Sequence, residues 1–471
     1  MIEFYLNNER ISTNANKTTT LLDFVRYQQR QTGVKIGCRE GDCGACSVLV
    51  GTLQEDNSVS YKSITSCISP LGNAKGKHIV TVEGTNLPKD LTIVQKAMKD
   101  NYATQCGFCT PGFVVSLTGF SLSDTEKNID NTLNAISGNV CRCTGYKSIV
   151  NAANDVCQKL SQKDEKKPVD WLVENGFVPE YFKTIPQKLS ELNKEKIVQT
   201  EKKFVAGGTD LYVQQADNLE ENSACLIAEN KELSGISIKD TICTVGANST
   251  VLDFWNHAEL NTFFPKLKKH LKLVSSEQIR NMASFGGNLV NASPIGDMTQ
   301  FFLALNSSLI IIDEDKNERT IPLNQFYKGY KTYDLKEGEL LKSIQFKLPS
   351  SDTHFNFEKV SKRQHLDIAS VNSAISITVE NNSIEDVHVS VGGVAAIPKY
   401  LQETATFLKG KELSIDVIIA ANEILQQEIS PISDVRGTSD YKRLLAKQLF
   451  FAHFIELFPS IFSLQKLVQH A

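Results

Sequence analysis

Three cysteines in one short, glycine-rich loop constrain this chain more than any other feature. The loop reads Cys38-Arg39-Glu40-Gly41-Asp42-Cys43-Gly44-Ala45-Cys46, and a fourth cysteine, Cys67, follows at a distance. The spacing C-x4-C-x2-C with a distant fourth cysteine is that of plant-type [2Fe–2S] sites, where soft thiolates hold the iron. The alternatives are a zinc site or a disulfide, but zinc favours paired C-x2-C sequences and this loop holds only one. The sequence therefore predicts a cluster held by Cys38, Cys43, Cys46 and Cys67.

Two further cysteine pairs lie in a segment of helical periodicity. Cys106-Gly107-Phe108-Cys109-Thr110-Pro111-Gly112 precedes an apolar run, and Cys141-Arg142-Cys143-Thr144-Gly145-Tyr146 precedes a predicted helix at 149–153. Thr110 as N-cap and Pro111 as first helical residue predict a helix start beside Cys109, where the helix dipole would stabilise a thiolate. Alone, these pairs also fit a zinc site or a redox dithiol. Beside the upstream loop they favour a second cluster, held by Cys106, Cys109, Cys141 and Cys143.

Length and composition limit the remaining possibilities. The chain has 471 residues, which suggests three or four domains, and a net charge of −4, which argues against a nucleic-acid partner. It has no apolar run long enough for a membrane span and no start typical of a signal peptide, so we expect a cytoplasmic protein. In that reducing compartment the eleven cysteines are expected to bind metal rather than to form disulfides. Cys157, Cys225 and Cys243 stand apart and are predicted to be small buried hydrophobic residues.

Two glycine-containing stretches predict phosphate-binding turns further along the chain. Phe204-Val205-Ala206-Gly207-Gly208-Thr209-Asp210-Leu211 has the pattern of a strand, a glycine turn and a helix, which presents free N–H groups to a phosphate. Alone this signal is weak, because a plain strand–helix turn has the same pattern. The second stretch, Ser284-Phe285-Gly286-Gly287-Asn288 continuing to Asp297, adds another glycine pair followed by polar residues.

Together, these sequences resemble a known family. C-x4-C-x2-C…C, C-G-x-C-T-P-G and C-R-C-T-G-Y resemble the iron–sulfur part of the xanthine dehydrogenase and aldehyde oxidase family of molybdenum hydroxylases. The two glycine stretches, in the same order, resemble the FAD domain of that family. The resemblance implies a multidomain α+β chain that holds two [2Fe-2S] clusters and FAD. Its predicted parts are a β-grasp ferredoxin domain (1–85), a helical [2Fe-2S] domain (86–160), a linker (161–180), an α+β FAD-binding domain of the molybdenum-hydroxylase flavoprotein type (181–354) and a small C-terminal α+β domain (355–471).

The resemblance also implies which residues contact FAD. Both glycine stretches would cradle the pyrophosphate, Asp297 would contact the nucleotide, and Leu341 and Lys359 would make further contacts. The implied set is Phe204, Val205, Ala206, Gly207, Gly208, Thr209, Asp210, Leu211, Ser284, Phe285, Gly286, Gly287, Asn288, Asp297, Leu341 and Lys359. Val274 stands where some relatives stack an aromatic ring on the flavin. Asp367, in the segment 361–369, either helps to admit or exclude NAD or belongs to a charged surface loop.

By the same resemblance, the chain is an electron-transfer subunit of a xanthine dehydrogenase-type enzyme. Electrons from purine oxidation (hypoxanthine and xanthine to urate) at a molybdopterin centre would pass through both clusters to FAD and then NAD+. Because the chain ends at Ala471, the molybdopterin part is expected on a separate large subunit, in a heterodimer or a dimer of heterodimers. No catalytic nucleophile or base is expected in this chain, and His257, His270 and His388 are predicted to be surface or packing residues. The alternatives are a subunit of an aldehyde- or carbon monoxide-oxidising relative, or a stand-alone NADH-dependent reductase; the sequence leaves both the substrate and the choice between NAD+ and oxygen open.

Overall fold

The computed structural model describes residues 1–164, 166–192, 201, 203–363 and 367–470, and it divides the chain into two compact units. The first unit comprises Met1–Glu229 with Ser276–Ala283, and the second comprises Asn230–Ser275 with Ser284–Ala471. Residues 181–229 and 276–283, which lie within the predicted FAD-binding domain, pack within the first unit. The multidomain α+β class is confirmed.

The N-terminal part of the first unit is a mixed five-stranded sheet with the order β2-β1-β5-β3-β4, in which β1 and β5 run parallel. Its strands are β1 Ile2–Leu6, β2 Glu9–Thr13, β3 Ser47–Leu53, β4 Val59–Thr65 and β5 His78–Val80. A short helix, α1 Leu21–Asp23, continues as a π-helix over Phe24–Gln28, and Phe24 is buried against Phe4 of β1. One helix against a twisted mixed sheet is the β-grasp arrangement predicted from the sequence.

A helical part follows, with α3 at its centre. Its helices are α2 Ile93–Asp100, α3 Thr110–Leu122, α4 Ile129–Ala135, α5 Lys147–Leu160, α6 Pro168–Glu174 and α7 Ile185–Ser190. Every residue of α3 from Gly112 to Leu122 is buried, because neighbouring elements cover it on all sides. Helix α6 lies in the predicted linker, and the reason is packing: Leu172, Phe177 and Val178 are fully buried in the same hydrophobic core.

The first unit also contains β6 Phe204–Val205, α8 Leu211–Asn222 and β7 Cys225–Leu226, with β6 and β7 parallel. Val205, Tyr212 and Leu219 are buried in the core that also contains Phe4 and Phe24. This shared core explains why the stretch packs against the ferredoxin domain.

The rest of the chain forms the second unit, except that α12 belongs to the first. Its antiparallel sheets have the orders β11-β10-β14-β9-β8 and β15-β16-β17-β18, and β12 pairs with β13. The elements are β8 Ile236–Lys239, β9 Ile242–Gly246, α9 Val251–Asn256, α10 Ala258–Phe263, α11 Leu267–Lys272, α12 Glu277–Arg280, α13 Phe285–Val290, α14 Asp297–Ala304, β10 Ser308–Ile312, β11 Glu318–Pro322, α15 Leu323–Phe326, β12 Tyr327–Gly329, β13 Thr332–Tyr333, β14 Leu340–Lys347, β15 Thr353–Val360, β16 Val371–Glu380, β17 Ser383–Gly392, β18 Lys399–Tyr400, α16 Gln402–Leu408, α17 Ile415–Glu428, α18 Ser439–Leu457 and α19 Leu464–His470.

The predictions for the three cysteines that stand apart from the predicted cluster ligands have mixed outcomes. Cys243 is buried as predicted, whereas Cys157 and Cys225 are only partly buried.

In the described part of the chain, none of the helices combines the length and the hydropathy that crossing a bilayer requires.

Candidate functional site

The loop Cys38–Cys46, here called the first cysteine loop, is curled by three left-handed residues. Arg39, Gly41 and Gly44 have φ values of 57°, 76° and 64°. The curl turns the backbone N–H groups of Glu40 and Asp42 towards the sulfur of Cys38, at 3.4 and 3.2 Å. Such N–H···S contacts are the hydrogen bonds that stabilise a thiolate and tune an iron–sulfur cluster.

The four thiols Cys38, Cys43, Cys46 and Cys67, here called the first cysteine site, contact one another. The pKa of Cys38 is lowered, chiefly by hydrogen bonds from the thiols of Cys43 and Cys67. Cys46 is buried, and its pKa is lowered mainly by a hydrogen bond with Cys67.

This arrangement fits a binuclear [2Fe–2S] cluster. In a [2Fe–2S] cluster each iron takes only two thiolates and shares the sulfides, so contacts between pairs of thiols are what such a cluster requires. Space is also limited, since a Cβ on Gly37 would lie 2.6 Å from the Cys43 sulfur.

Cys106, Cys109, Cys141 and Cys143, here called the second cysteine site, lie at two helix starts. The sulfurs of Cys143 and Cys106 are 3.4 Å apart, and the thiol of Cys109 contacts that of Cys141. The prediction that Thr110 is the N-cap of α3 is wrong by one residue: Cys109 is the N-cap, and Thr110 is already helical. Burial, followed by the Cys141 contact, raises the pKa of the Cys109 thiol to about 12. Two pairs of thiols again fit a [2Fe–2S] cluster.

The second cysteine site lies at the surface. Cys106 and Cys143 are exposed, and three aromatic side chains near them in sequence, Tyr102, Phe108 and Tyr146, are 85%, 47% and 42% exposed. Tyr146 has a left-handed backbone, with φ 69°, and its hydroxyl oxygen accepts the backbone N–H of Cys141 at 3.0 Å. An open thiol pair with exposed aromatic rings is suited to contact with another molecule.

The two cysteine sites are joined directly. The N–H of Val140, next to Cys141, donates to the carbonyl of Cys43 at 3.0 Å. The amide of Asn139 donates to the carbonyl of Gly44 at 3.1 Å. A Cβ on Gly112 would lie 2.3 Å from that same oxygen, so the approach of α3 requires glycine.

Residues 204–211, here called the first glycine loop, pack on the ferredoxin domain. Asn73 donates to the carbonyl of Ala206 at 2.9 Å. Gly208 has φ 86°, and a Cβ there would lie 2.9 Å from the carbonyl oxygen of Ile68, the residue after Cys67. The predicted strand, turn and helix are all present, and the loop lies beside the first cysteine site.

Residues 284–288, here called the second glycine loop, form the start of α13. The hydroxyl of Ser284 caps the helix by accepting the N–H of Gly287 at 3.2 Å. A Cβ on Gly286 would lie 2.8 Å from that of Ala247, so this glycine is required by packing. The side chain of Phe285 is fully buried in the hydrophobic core, which leaves only its backbone to meet a ligand.

Asp297 and Lys359, both predicted to contact FAD, form a buried ion pair. The Nζ of Lys359 lies 2.7 Å from Asp297 and donates to the carbonyl of Leu273 at 2.8 Å. The other carboxylate oxygen of Asp297 accepts the amide of Asn372 at 2.6 Å. No sequence pattern singled out Asn372, because its role depends on β16 packing against α14.

The remaining predicted positions are less informative about a ligand. Leu341 and Val274 are both buried in the hydrophobic core of the second unit. The carboxylate of Asp367 accepts the N–H of Arg363 at 3.1 Å, as a surface loop would allow. Residues 364–366 of the predicted NAD-proximal segment lie outside the described residues.

Comparisons with known proteins agree with this domain composition. Four family models match: 2Fe-2S iron-sulfur cluster binding domain (residues 4–71), [2Fe-2S] binding domain (81–154), FAD binding domain in molybdopterin dehydrogenase (180–350) and CO dehydrogenase flavoprotein C-terminal domain (357–457). A xanthine dehydrogenase of Emericella nidulans is 28% identical over 98% of this chain, and aldehyde oxidase 2 of Macaca fascicularis is 27% identical over 98%. The chain spans 39% and 40% of the lengths of these two proteins.

Among solved structures, a chain of carbon monoxide dehydrogenase from Hydrogenophaga pseudoflava is 22% identical, with a TM-score of 0.50 over 53% of this chain and 86% of that chain. At this identity the likeness concerns the fold alone. The family models and relatives together confirm the resemblance predicted from the sequence.

Proposed function

We propose that this chain, which carries the iron–sulfur and flavin domains of a molybdenum hydroxylase, is the electron-transfer subunit of a xanthine dehydrogenase-type enzyme. Electrons would leave a molybdopterin centre on a partner chain, cross the second and then the first cysteine site, and reach NAD+ at the flavin. The partner chain would oxidise a purine, with hypoxanthine and xanthine converted to urate. We expect a cytoplasmic heterodimer or dimer of heterodimers.

The observation that carries this proposal is the contact between the two cysteine sites. One hydrogen bond, from Val140 N–H to the Cys43 carbonyl, joins a residue next to one ligand to another ligand. The first glycine loop then touches Ile68, next to the ligand Cys67. The order second site, first site, flavin loop is therefore continuous within the first unit.

The cofactors, when bound, supply one-electron chemistry at the clusters and two-electron exchange with NAD+ at the flavin. The chain's own residues hold and insulate these groups. Cys46 and Cys67 are buried, and the N–H groups of Glu40 and Asp42 stabilise the Cys38 thiolate. The exposed second site, with Phe108 and Tyr146 beside it, is the part suited to meet the partner chain.

The ion pair of Lys359 and Asp297 supports the flavin assignment. Burying an ion pair costs desolvation energy that can exceed the attraction between its charges. The stability of the fold alone therefore does not account for this pair. We infer that the pair is held by Asn372 and the Leu273 carbonyl in order to present fixed charge to the flavin nucleotide.

The test uses the purified chain under anaerobic conditions. NADH is added while flavin absorption and the electron paramagnetic resonance signals of reduced clusters are recorded. Bleaching of the flavin with two distinct cluster signals is the expected result. If dithionite produces both signals and NADH produces none, NAD+ is not the acceptor; a protein without iron or flavin would overturn the whole proposal.

A second candidate is an aldehyde-oxidising enzyme with the same arrangement of cofactors. It is favoured by the aldehyde oxidase relative, whose 27% identity nearly equals the 28% of the xanthine dehydrogenase. Purification of the untagged chain with its partner, followed by assays with xanthine and with an aromatic aldehyde, separates the two candidates.

A further inference from the structure

Eight residues, Ser276–Ala283, lie in sequence between two segments of the second unit but pack inside the first unit. They are here called the connector. It contains α12 and is buried although it is polar: Ser276 and Gln278 are fully buried, and Arg280 and Asn281 nearly so. The next residue in the chain, Ser284, begins the second glycine loop. A buried polar segment of this kind needs specific partners, since unpaired polar groups in a protein interior are costly.

The amide of Gln278 binds the connector to the helical part. Its Nε2 lies 3.0 Å from the hydroxyl of Ser116, 3.0 Å from the carbonyl of Ala135 and 3.1 Å from Oδ1 of Asn139. Asn139 in turn donates to the carbonyl of Gly44, inside the first cysteine loop. Gln278 is thus two hydrogen bonds away from the backbone between Cys43 and Cys46.

Other connector residues touch the remaining parts of the unit. A Cβ on Gly41 of the first cysteine loop would lie 2.9 Å from Cδ1 of Ile279. Asn281 donates to the carbonyl of Ser63 in β4 at 2.7 Å. A Cβ on Gly207, in the first glycine loop, would lie 1.9 Å from the carbonyl oxygen of Met282. The connector therefore contacts both cysteine-bearing domains and a glycine loop.

Two charged residues of the connector, Glu277 and Arg280, share Asn134 as a hydrogen-bond partner. Arg280 donates to Oδ1 of Asn134 at 2.7 Å, and the amide of the same asparagine donates to Glu277, also at 2.7 Å. Burial raises the pKa of Glu277 and lowers that of Arg280 to about 10. Removing one member of such a group leaves a buried charge without its partner, so the group permits few alternative positions.

We propose that the connector couples the first glycine loop to both cysteine sites and that Gln278 is a positioning residue for both clusters. The inference rests on the proposed function, because it requires the two clusters to be present. Through Asn139, Gln278 holds the 138–141 segment, which bears Val140 and Cys141, against the carbonyls of Cys43 and Gly44. Hydrogen bonding and solvent access around the sulfurs set cluster potentials, so a shift of this segment changes both clusters together.

The first experiment compares wild type with Gln278→Met, which keeps the length of the side chain and removes its amide. Gln95→Ala is the control: the side-chain amide of Gln95 accepts the N–H of Thr92 and donates to Asn86, both in the first unit and outside the two cysteine sites. The readouts are iron and flavin content, thermal midpoint, and the dithionite-reduced resonance spectra with the midpoint potential of each cluster. We expect altered line shapes and shifted potentials for both clusters in Gln278→Met and for neither in Gln95→Ala.

A second experiment needs no variant and so does not depend on the folding of Gln278→Met. Amide hydrogen exchange of the wild-type chain is compared between flavin-depleted and flavin-loaded protein. We expect slower exchange on loading in peptides from the connector, from 40–46 and from 138–141.

The outcomes are separable. The inference is overturned if Gln278→Met has a lower thermal midpoint but unchanged cluster spectra. It is also overturned if hydrogen exchange in 40–46 and 138–141 is the same with and without flavin. A wild-type protein without two cluster signals overturns the proposed function first, and the inference with it.

Discussion

Among single residues, Gly37 is the one whose Cβ would meet a sulfur of the first cysteine site. A Cβ there would lie 2.6 Å from the sulfur of Cys43, well inside any real contact, and the sulfur cannot move without leaving its predicted place as a ligand. We expect Gly37→Ala to lose the iron of the first cluster and to keep the second. The measurements are iron per chain and the number of resonance signals after reduction.

Gly76→Ala controls for general damage to the ferredoxin domain. Gly76 has φ 72°, so alanine there costs about 1 kcal/mol of backbone strain, but its Cβ would meet nothing within 4 Å. Two intact cluster signals in Gly37→Ala would contradict the steric argument.

Buried histidines make stability depend on pH. Burial lowers the pKa of His78 to about 3, of His270 to about 4 and of His453 to about 3. In the unfolded chain each would titrate near 6.5, so between that pH and the folded pKa the unfolded state binds more protons. The free energy of unfolding is therefore not reduced by these histidines above about pH 6.5. As pH falls below that value, it decreases by up to roughly 1.4 kcal/mol per pH unit for each histidine.

The test compares wild type with His78→Gln. The ring of His78 lies between the hydroxyl of Tyr61 and the carbonyl of Asn7, both at 2.8 Å, and glutamine keeps polar atoms there without a titrating group. We expect a lower midpoint for the variant at pH 7.5 and a smaller further loss on going to pH 5. Equal losses in the two proteins would show that His78 does not contribute.

At the scale of elements, a variant at the start of α13 can distinguish the capping role of Ser284 from a role in binding FAD. Ser284→Ala removes the N-cap hydrogen bond to Gly287 and is expected to cost about 1 kcal/mol of stability. Thr438→Ala removes the equivalent cap of α18, where the hydroxyl accepts the N–H of Tyr441 at 3.2 Å. If residues 284–288 hold the flavin pyrophosphate, only Ser284→Ala weakens FAD binding, as measured by fluorescence titration of the flavin-depleted chain. Equal FAD affinities in the two variants would remove Ser284 from the predicted site.

The elements predictable from the sequence are those whose chemistry fixes their spacing. The cysteine loops follow from the ligand requirement of a cluster, and the first glycine loop follows from a strand entering a helix. The predicted start of α3 is wrong by one residue, because Cys109 occupies the N-cap position without making a side-chain hydrogen bond. Helix α6 was missed because a polar, proline-containing stretch conceals the buried Leu172.

The connector could not be predicted from the sequence at all. It has no motif, and its partners are distant in the chain: Gln278 and Asn139 are separated by 139 residues, and Asn281 and Ser63 by 218. Local periodicity identifies a helix but carries no information on which distant surface its polar side chains meet. The Asn372 contact with Asp297 was missed for the same reason.

At the scale of the whole molecule, all eight predicted cluster ligands, from Cys38 to Cys143, lie in the first unit. The second unit has two hydrophobic cores of its own and contains none of them. Because metal binding to the folded state contributes directly to folding free energy, removal of the clusters is expected to destabilise the first unit selectively. Its thermal midpoint should fall by roughly 2–4 °C for each kcal/mol of binding energy lost, and that of the second unit should stay constant.

The sequence provides a probe for each unit, since its two tryptophans are Trp171 in the first and Trp255 in the second. Trp171 packs on Phe177 and Trp255 is 8% exposed, so the fluorescence of each reports the unfolding of its surroundings. Trp255→Phe leaves the probe of the first unit and Trp171→Phe that of the second. Melting curves of both variants, with clusters intact and after reduction and chelation of the iron, should show a lower midpoint only for the Trp171 signal. Equal shifts of both signals would mean that the clusters stabilise the chain as one cooperative unit, because only coupled unfolding transmits a ligand's binding energy to a unit that does not hold it.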